Sequence, residues 1–372
     1  MFCEVEFLAV GEASSAGDAI IVKYGNLNDY KLMVVDGGTT KTGETLVEHL
    51  KSHFGQSVIL EDVVLTHSDN DHASGLREVL NEIPVKNLWV HIPWLLSAEA
   101  IQLFKNPNWT ETGLNNSIKA EYSIISELLD IAIEKGIDVY YPFQGSQIGP
   151  FTVLSPTRYS YIHLLPQFEK TPEANQELLE SVNFWIGKED SSLISQLMKL
   201  LQEQAQKWTD ESWNNERLKD GGVTSASNES SVVMYADIGE GRRYLLTGDA
   251  GVNALLWAAE YAESRGFILQ NFSFVQVPHH GSRRNVGPTI LNRLIGPIQP
   301  VNSPKRFSCF VSAPKDDSKH PRKIVLNAFT RRGGNVKVTA GTNWLHYGGF
   351  PPRSGYNSTI DLPLYASVED YD

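Results

Sequence analysis

Two histidines and two aspartates lie within six residues of one another, directly after an apolar segment. Residues 63–65 are apolar, and the polar cluster that follows contains His67, Asp69, Asp71 and His72. Imidazoles and carboxylates crowded at a strand end repel or desolvate one another unless a cation neutralises them. The alternative is a polar turn in which the aspartates cap a helix. We favour a metal site, because two later polar clusters also follow apolar segments.

The later clusters supply one more aspartate and two more histidines. Asp249 follows the apolar strand predicted at 243–246, and His279 and His280 follow the strand predicted at 272–277. Imidazole nitrogens and carboxylate oxygens are common ligands of divalent metals. A histidine pair alone is as often structural as functional, but the presence of the other polar clusters favours a functional role here.

These clusters are similar in order and spacing to those of the metallo-β-lactamase superfamily. The first cluster of that family is usually His-x-His-x-Asp-His, and here Asp69 stands in place of the second histidine. This variant resembles the extracellular hydrolase-type domain of the competence protein ComEC and its soluble relatives. The other motifs that carry the resemblance are Phe7-Leu8-x-Val10-Gly11, Gly17-Asp18-Ala19-Ile20-Ile21-Val22, Val35-Asp36-Gly37-Gly38, Asn228-x-x-Ser231-Val232-Val233, Leu245-Leu246-Thr247-Gly248-Asp249 and Pro278-His279-His280-Gly281-Ser282.

The resemblance and the alternation of strands with helices predict an α+β fold. We expect a four-layer αβ/βα sandwich, with helices packed outside two facing sheets. We assign residues 1–348 to this hydrolase domain and residues 349–372 to a C-terminal tail that wraps the surface. Apolar periodicity predicts the individual elements. Strands are expected near 4–10, 19–24, 31–35, 58–65, 85–91, 138–142, 150–154, 231–236, 243–246, 272–277, 307–311 and 335–339, and helices near 46–54, 74–80, 118–134, 252–264 and 322–331.

Residues 156–222 interrupt the family pattern. Leu193, Ile194, Leu197, Met198 and Leu201 recur at helical spacing, which predicts a mostly helical insertion. We place this insertion over the mouth of the active site, where it would govern substrate access more than stability. Its tryptophans are expected to pack rather than to contact a ligand; they are Trp185, Trp208 and Trp213.

The resemblance implies two divalent metal ions with Asp249 as the bridge between them. One ion would be held by His67, Asp69 and Asp249. The other would be held by Asp71, His72, Asp249 and a histidine of the 279–280 pair. His280 is the preferred ligand of that pair because it directly precedes Gly281, and His279 would then face the substrate or support the ligands. Asp71 would also act in catalysis, by orienting or deprotonating a water.

Two departures from the family pattern affect the choice of metal. Asp69 replaces a histidine, and no histidine occurs between His163 and His279, where the family has another ligand. Asn228, or a neighbouring serine, lies near that place. The first site therefore has more oxygen and less nitrogen than a typical zinc site. Oxygen-rich sites favour Mn²⁺ or Mg²⁺, while Zn²⁺ remains an option at the second site.

Other polar residues are candidates for supporting the ligands or binding substrate. The resemblance implies that Asp36 orients the metal ligands or the His67 loop, although an Asx-turn at a strand end would explain it equally well. Ser282, Arg283 and Arg284 follow the histidine pair. The two guanidinium groups could clamp phosphate oxygens, or they could be solvated surface charges. The dipeptide His320-Pro321 is expected to begin the last helix.

Length and composition are those of an ordinary globular protein. The chain has 372 residues, 41% of them hydrophobic, and a net charge of −12, which disfavours general affinity for a phosphate backbone. No apolar run is long enough for a membrane span, and the acidic N-terminus does not resemble a signal peptide. Cys3 and Cys309 are too few for a disulfide framework, so a reducing cytoplasm is expected.

The leading hypothesis is a metal-dependent hydrolase, and the resemblance favours phosphodiester or nucleic-acid cleavage. The acidic charge shifts the expected substrate toward a short nucleotide, a single-strand end, or a substrate delivered by a protein partner. A lactonase, lactamase or other ester hydrolase is the second hypothesis. A non-catalytic regulatory or interaction module is the third, because two nitrogen ligands of the family are missing.

We predict that Asp69→His will move the metal preference from Mn²⁺ toward Zn²⁺, because it restores a nitrogen ligand. The measurement is metal content by elemental analysis, together with activity after each ion is added back to stripped protein. An unchanged order of metal preference would show that Asp69 does not contact a metal.

Overall fold

Two seven-stranded β-sheets form the centre of the computed structural model, which describes residues 1–11, 17–186, 206–356 and 361–371. The strands are β1 (Phe2–Phe7), β2 (Ala19–Gly25), β3 (Tyr30–Gly37), β4 (Leu60–Val64), β5 (Val85–Trp89), β6 (Asp138–Tyr140), β7 (Gln147–Ile148), β8 (Phe151–Ser155), β9 (Trp208–Asp210), β10 (Val233–Asp237), β11 (Arg243–Leu246), β12 (Phe274–Gln276), β13 (Phe307–Val311), β14 (Gly334–Val338), β15 (Trp344–His346) and β16 (Ser367–Glu369). The first sheet has the order β15-β1-β2-β3-β4-β5-β6, and the second has the order β14-β13-β12-β11-β10-β8-β7. A small third sheet pairs β9 with β16.

Helices cover the outer face of each large sheet. The α-helices described are Thr40–Phe54, Asn70–Ala73, Leu76–Glu82, Ser97–Ala100, Glu111–Glu121, Ser123–Lys135, Arg158–Leu164, Gln176–Ser181, Ala226–Glu229, Val252–Ser264, Pro288–Ile295 and Lys323–Arg331. Short 3₁₀ turns occur at Pro93–Leu96, Ile101–Leu103, Leu165–Gln167 and His279–Gly281. The sequence explains the bounds of the long outer helix Thr40–Phe54: the Thr39 side chain caps its start, and Gly55 follows its end.

Three apolar cores separate the four layers. Leu46 and Leu50 of the first long helix pack with Val34 and Val63 of the first sheet. Alternate residues of the same strands face the second sheet, so that a central core lies between the sheets. A third core joins the second sheet to its own outer helices. The predicted α+β, four-layer αβ/βα sandwich is therefore confirmed.

Parallel strands place the polar clusters at one edge of the sandwich. β3 and β4 are parallel, so Asp36 and the loop after β4 lie side by side at their carboxyl ends. In the second sheet β11 and β12 are parallel, so the loops that contain Asp249 and His279 are also neighbours. Hydrogen bonds join the two edges, because the Val232 N–H donates to the Thr66 carbonyl at 3.0 Å. The site is thus built from loops of both sheets.

Some predicted elements differ from those observed. The helix predicted at 118–134 is two helices, which meet at Tyr122 with φ −111° and ψ 49°. The Tyr122 side chain is buried near Phe168, with ring centroids 6.5 Å apart, and burial of this ring outweighs continuation of the helix. β15 was not expected either, because its three residues are half-buried and show no alternation.

The segment predicted as an insertion is described only in part. Its proposed helix at Leu193–Leu201 lies outside the described residues. Residues 156–186 contain two short helices, and Trp185 packs against the core of the first sheet. Residues 206–222 contribute β9, whose Trp208 is half exposed, while the Trp213 indole N–H donates to the Gln299 carbonyl at 2.8 Å.

The C-terminal tail is more than a surface wrap. Val368 of β16 is fully buried in the core of the second sheet and its helices. The Glu369 carboxylate accepts backbone N–H bonds from Lys323 and Ile324, at the start of the last helix. Carboxylates at a helix N-terminus accept from its free N–H groups and interact favourably with the positive end of the helix dipole. The tail therefore stabilises this helix. The expectation of a wholly superficial tail is corrected for these residues.

The described ranges contain no helix that is both long and apolar enough to cross a membrane. Cys3 and Cys309 are free and buried.

We predict that Glu211→Gln will lower the free energy of unfolding by about 3–5 kcal/mol, because it leaves a buried guanidinium without its counter-ion. Glu211 and Arg331 are both 0% exposed and lie 3.0 Å apart. The control is Glu173→Gln, which breaks an ion pair with Lys105 at the surface and should cost no more than about 1 kcal/mol. Urea unfolding measures the free energy of unfolding of each variant. Equal losses in the two variants would show that the buried Glu211–Arg331 pair contributes no more than the surface pair.

Candidate metal centre

Four imidazoles converge on one oxygen atom of Asp249. The Nε2 atoms of His67 and His72 lie 3.9 and 3.4 Å from Asp249 Oδ2. The Nε2 atoms of His279 and His280 both lie 3.7 Å from the same oxygen. The Asp249 side chain is only 4% exposed, so this convergence takes place away from bulk water.

The protonation of His72 and His280 follows from their other ring nitrogen. His72 Nδ1 is 2.7 Å from Asp36 Oδ2, and His280 Nδ1 is 3.0 Å from the Ser312 carbonyl oxygen. A carboxylate and a carbonyl can only accept, so each Nδ1 carries the proton. When these imidazoles are neutral, their Nε2 lone pairs therefore face Asp249. Metal-binding histidines in proteins are commonly held in this way.

His67 has the same tautomer for a less direct reason. The Thr66 hydroxyl donates to Asp36 Oδ2 at 2.7 Å, and it lies 3.0 Å from His67 Nδ1. Because its single proton is already donated to the carboxylate, this hydroxyl accepts from His67 Nδ1. Asp36 thus orients two histidines, one directly and one through Thr66, and it also accepts the Thr66 backbone N–H at 2.8 Å.

His279 is fixed by an asparagine. Asn285 Nδ2 donates to the Asp249 carbonyl at 2.7 Å, so Asn285 Oδ1 is free to accept from His279 Nδ1 at 2.8 Å. Asn228 Nδ2 also lies 3.2 Å from His279 Nδ1, but it donates to Thr224 Oγ1 at 2.8 Å. His279 is therefore the fourth imidazole whose Nε2 lone pair faces Asp249.

This arrangement fits divalent metal ions. Nitrogen lone pairs that face a buried carboxylate repel it unless a cation lies between them. Two atoms that are each about 2.0–2.2 Å from a shared ion lie about 3.4 Å apart at a tetrahedral angle, close to the spacing seen here. Three Nε2 atoms and Asp249 Oδ1 are buried without a hydrogen-bond partner; the three belong to His67, His72 and His280.

The charges around the imidazoles also favour a cation. Burial lowers the pKa of His72, but the carboxylates of Asp249 and Asp36 more than offset it, so the pKa lies well above its ordinary value. Burial raises the pKa of Asp249, but the surrounding imidazoles outweigh it and hold that pKa well below its usual range. A position that attracts a proton this strongly attracts a metal ion for the same reason.

Asp69 and Asp71 lie on two sides of this cluster. Asp69 Oδ2 is 3.5 Å from His67 Nε2, and the Ser227 hydroxyl donates to Asp69 Oδ1 at 2.6 Å. Burial opposes ionisation of Asp69, but the His67 imidazole and the Ser227 hydroxyl outweigh it and lower its pKa to about 2. Asp71 offers an oxygen on the other side, within 4.8 Å of ring nitrogens of His72 and His280.

Ser282 and Arg283, which follow the histidine pair, contact other parts of the protein. The Ser282 N–H donates to the His279 carbonyl at 2.8 Å, and its hydroxyl accepts from the Arg284 N–H at 3.3 Å. Arg283 donates to the Asp370 carbonyl at 2.7 Å and lies over the Tyr371 ring, 4.7 Å from its centroid. The tail therefore holds Arg283, which is not a plain solvated charge; a role in clamping phosphate oxygens stays a prediction.

Several supporting residues were not predicted from sequence. Asp18 is fully buried and accepts from Gln276 Nε2 at 2.7 Å, while Gln276 Oε1 accepts the Thr247 and Gly248 N–H groups. Burial, with the nearby Asp249 charge, raises the pKa of Asp18 to about 7 despite the His72 imidazole. Asp18 belongs to a motif that carries the resemblance, which could have singled it out. Gln276, like Asn285 and Ser312, has no such signal.

The sequence comparison agrees with this geometry. The model of the metallo-β-lactamase superfamily matches residues 16–114, which contain the first polar cluster. The match supports the resemblance to this superfamily over these residues. The ComEC-like subgroup stays a prediction, and no curated protein matches the chain significantly.

Several solved structures are similar to the chain at low identity. Zn²⁺-bound PqqB from Methylobacterium extorquens has 10% identity and a TM-score of 0.40, with 92% of this chain and 99% of that chain covered. A β-lactamase domain protein from Burkholderia ambifaria has 12% identity and a TM-score of 0.32, with coverages of 76% and 70%. Metallo-β-lactamase SMB-1 bound to 2-mercaptoethanesulfonate has 9% identity and a TM-score of 0.30, with coverages of 74% and 83%.

We predict that Asp36→Asn will weaken metal binding by about 10–100-fold, because the amide cannot accept all three donors that orient the ligands. Asparagine tolerates the φ of 57° at this position, so the backbone should be retained. The control is Asp62→Asn, which changes a buried aspartate of β4 that bonds Tyr24 and Trp89. Competition titration with a chelating dye measures affinity, and equal losses in both variants would refute a role in orienting ligands.

Proposed function

We propose that the chain is a metal-dependent hydrolase that binds two divalent cations at Asp249 and cleaves phosphodiesters in nucleic acid or nucleotides. The observation that supports metal dependence is the convergence of four Nε2 lone pairs on Asp249 Oδ2. Divalent cations at such a centre supply two things to hydrolysis, a lowered pKa of water and neutralisation of charge on the attacked group.

The protein's own groups have distinct tasks in this proposal. Asp36 and Thr66 fix the rings of His67 and His72 before substrate arrives, so that no reorganisation is needed during the reaction. Asp71 is half-buried beside His72, and its carboxylate can orient a water or accept a proton from it. This side of the centre is therefore where we expect the attacking water to be prepared.

A basic rim beside the open side of the centre supports an anionic substrate. We define the basic rim as the segments 282–284 and 319–322. The His320 ring stacks on His279 with centroids 6.0 Å apart, and the Arg322 N–H donates to the Gly281 carbonyl at 3.1 Å. This close packing requires glycine, because a Cβ at Gly281 would lie 2.7 Å from Pro321. The two segments contain four cationic residues, of which Arg283 is held by the tail; they are Arg283, Arg284, Lys319 and Arg322.

The basic rim reconciles phosphodiester chemistry with an acidic chain. A net charge of −12 repels a long polyanion at a distance, while a local positive region attracts phosphate groups near the site. We therefore propose a short nucleotide, or the end of a single strand, rather than a long duplex. A protein partner that delivers such an end would also fit.

The test is an assay of metal-reconstituted protein with Mn²⁺, Zn²⁺ or Mg²⁺. The substrates are bis-nitrophenyl phosphate, short DNA and RNA, cyclic dinucleotides, nitrophenyl esters, lactones and β-lactams. We expect turnover of the phosphodiesters. Activity confined to carbon esters, lactones or lactams would replace the phosphodiester proposal with that class, and metal binding without turnover would favour a non-catalytic module.

We predict that Asp249→Asn will lower the activity found in that screen by more than about 100-fold, since it removes the charge at which the imidazoles converge. Circular dichroism should show a retained fold, because Asp249 lies in a loop after a completed strand. Glu173→Gln, a surface change remote from the centre, serves as the control. Full activity of Asp249→Asn would disprove a metal centre at this residue.

A further inference from the structure

We propose that His279 and His280 are both metal ligands, one for each of two cations on opposite sides of Asp249. This inference rests on the metal binding in the proposed function, and it is independent of the substrate. It assigns His279 to the metals rather than to the substrate or to proton transfer.

The backbone conformation of His279 and His280 directs both rings toward Asp249 Oδ2. Neighbouring residues in a strand point to opposite faces of the sheet. Here His279 and His280 have φ values of 45° and 52°, in the left-handed region that residues other than glycine rarely adopt. As a result both Nε2 atoms face Asp249, with ring centroids 5.6 Å apart and ring planes at 71°. Strained backbone of this kind is typical of ligand clamps.

The hydrogen bonds of His279 also match those of a ligand. Its Nδ1–H donates to Asn285 Oδ1, in the same way that His280 Nδ1–H donates to the Ser312 carbonyl. Each ring therefore presents an Nε2 lone pair at 3.7 Å from Asp249 Oδ2. A ring that served the substrate would be expected to turn its free nitrogen to solvent, whereas His279 turns it to the buried carboxylate.

His279 lies on the Asp69 side of Asp249. Its Nδ1 is 3.2 Å from Asn228, and the adjacent Ser227 binds the Asp69 carboxylate at 2.6 Å. His280 lies on the other side, where a nitrogen of its ring is within 4.8 Å of a ring nitrogen of His72 and of a carboxylate oxygen of Asp71. Asn228 stands near the position where the family usually has a histidine ligand. His279, which comes from another loop, lies beside Asn228 and supplies an imidazole on this side.

With this assignment the two metal sites have the same set of ligand atoms but differ in their exposure to solvent. Each cation has two imidazole nitrogens, one oxygen from its own aspartate and one from Asp249. The open site comprises His67, Asp69, His279 and Asp249, and the closed site comprises Asp71, His72, His280 and Asp249. Asp69 and His279 are 40% and 25% exposed, whereas His72 and His280 are 0% and 3% exposed. We therefore expect the open site to exchange its ion first.

The experiment is a titration of chelator-stripped protein with Co²⁺, followed by visible absorption and by the number of ions bound per chain. The variants are His279→Asn and His280→Asn, because asparagine tolerates positive φ and removes the imidazole. The wild type should bind two Co²⁺ per chain. Each variant should keep one ion and bind the other at least tenfold more weakly, with different absorption spectra for the ion retained. His320→Asn, which removes a ring stacked on His279, should still bind two.

A double variant tests whether the loss of one Co²⁺ in His279→Asn is instead caused by misfolding. Adding Asn228→His to His279→Asn returns an imidazole to the same side, and it should restore the second Co²⁺. Two ions bound by His279→Asn with wild-type affinity and spectrum would overturn the inference. A wild type that binds two ions but cleaves no phosphodiester would reject the substrate proposal alone. A wild type that binds none would reject both.

Discussion

Asp249 Oδ2 faces the Nε2 atoms of four imidazoles at 3.4–3.9 Å, in a place that bulk water does not reach. Each of these rings has its proton on Nδ1, bound by a carboxylate, a hydroxyl, a carbonyl or an amide oxygen. A positive charge is needed to offset the repulsion between these lone pairs and the carboxylates, and the raised pKa of His72 means that a proton on this ring partly supplies it when no metal ion is bound. The rest of the site is organised to hold this arrangement and to make it favourable once metal binds.

Both sheets are needed to hold the four rings. Asp36 and Thr66 come from the first sheet and orient His67 and His72, whereas Ser312 lies at the end of β13 in the second. Gln276 joins the sheets, since it binds Asp18 at one end and the Thr247–Gly248 backbone at the other. The interface between the sheets therefore positions the candidate metal ligands as well as forming the central core.

The sequence singled out the candidate ligands and Asp36, but not the other residues that orient these ligands. His67, Asp71 and His72 are local in sequence, and their types at this spacing carry a clear signal. Gln276 acts on Asp18, 258 residues away, and glutamine is common at structural positions, so no local pattern could single it out. The break at Tyr122 and the burial of the tail escaped prediction for a similar reason, since both depend on distant partners rather than on periodicity.

Charge balance links the unusual Asp69 to the basic rim. Four carboxylates surround the neutral imidazoles, those of Asp36, Asp69, Asp71 and Asp249, and two divalent cations would cancel their charge. Burial raises the pKa of Asp18 to about 7, so that this fifth carboxyl adds less than a full negative charge at neutral pH. A histidine in place of Asp69 would leave the loaded centre with a net positive charge. With aspartate there, the loaded centre would attract an anion only weakly, so that under our proposal the basic rim beside His279 would supply further attraction for a phosphate group.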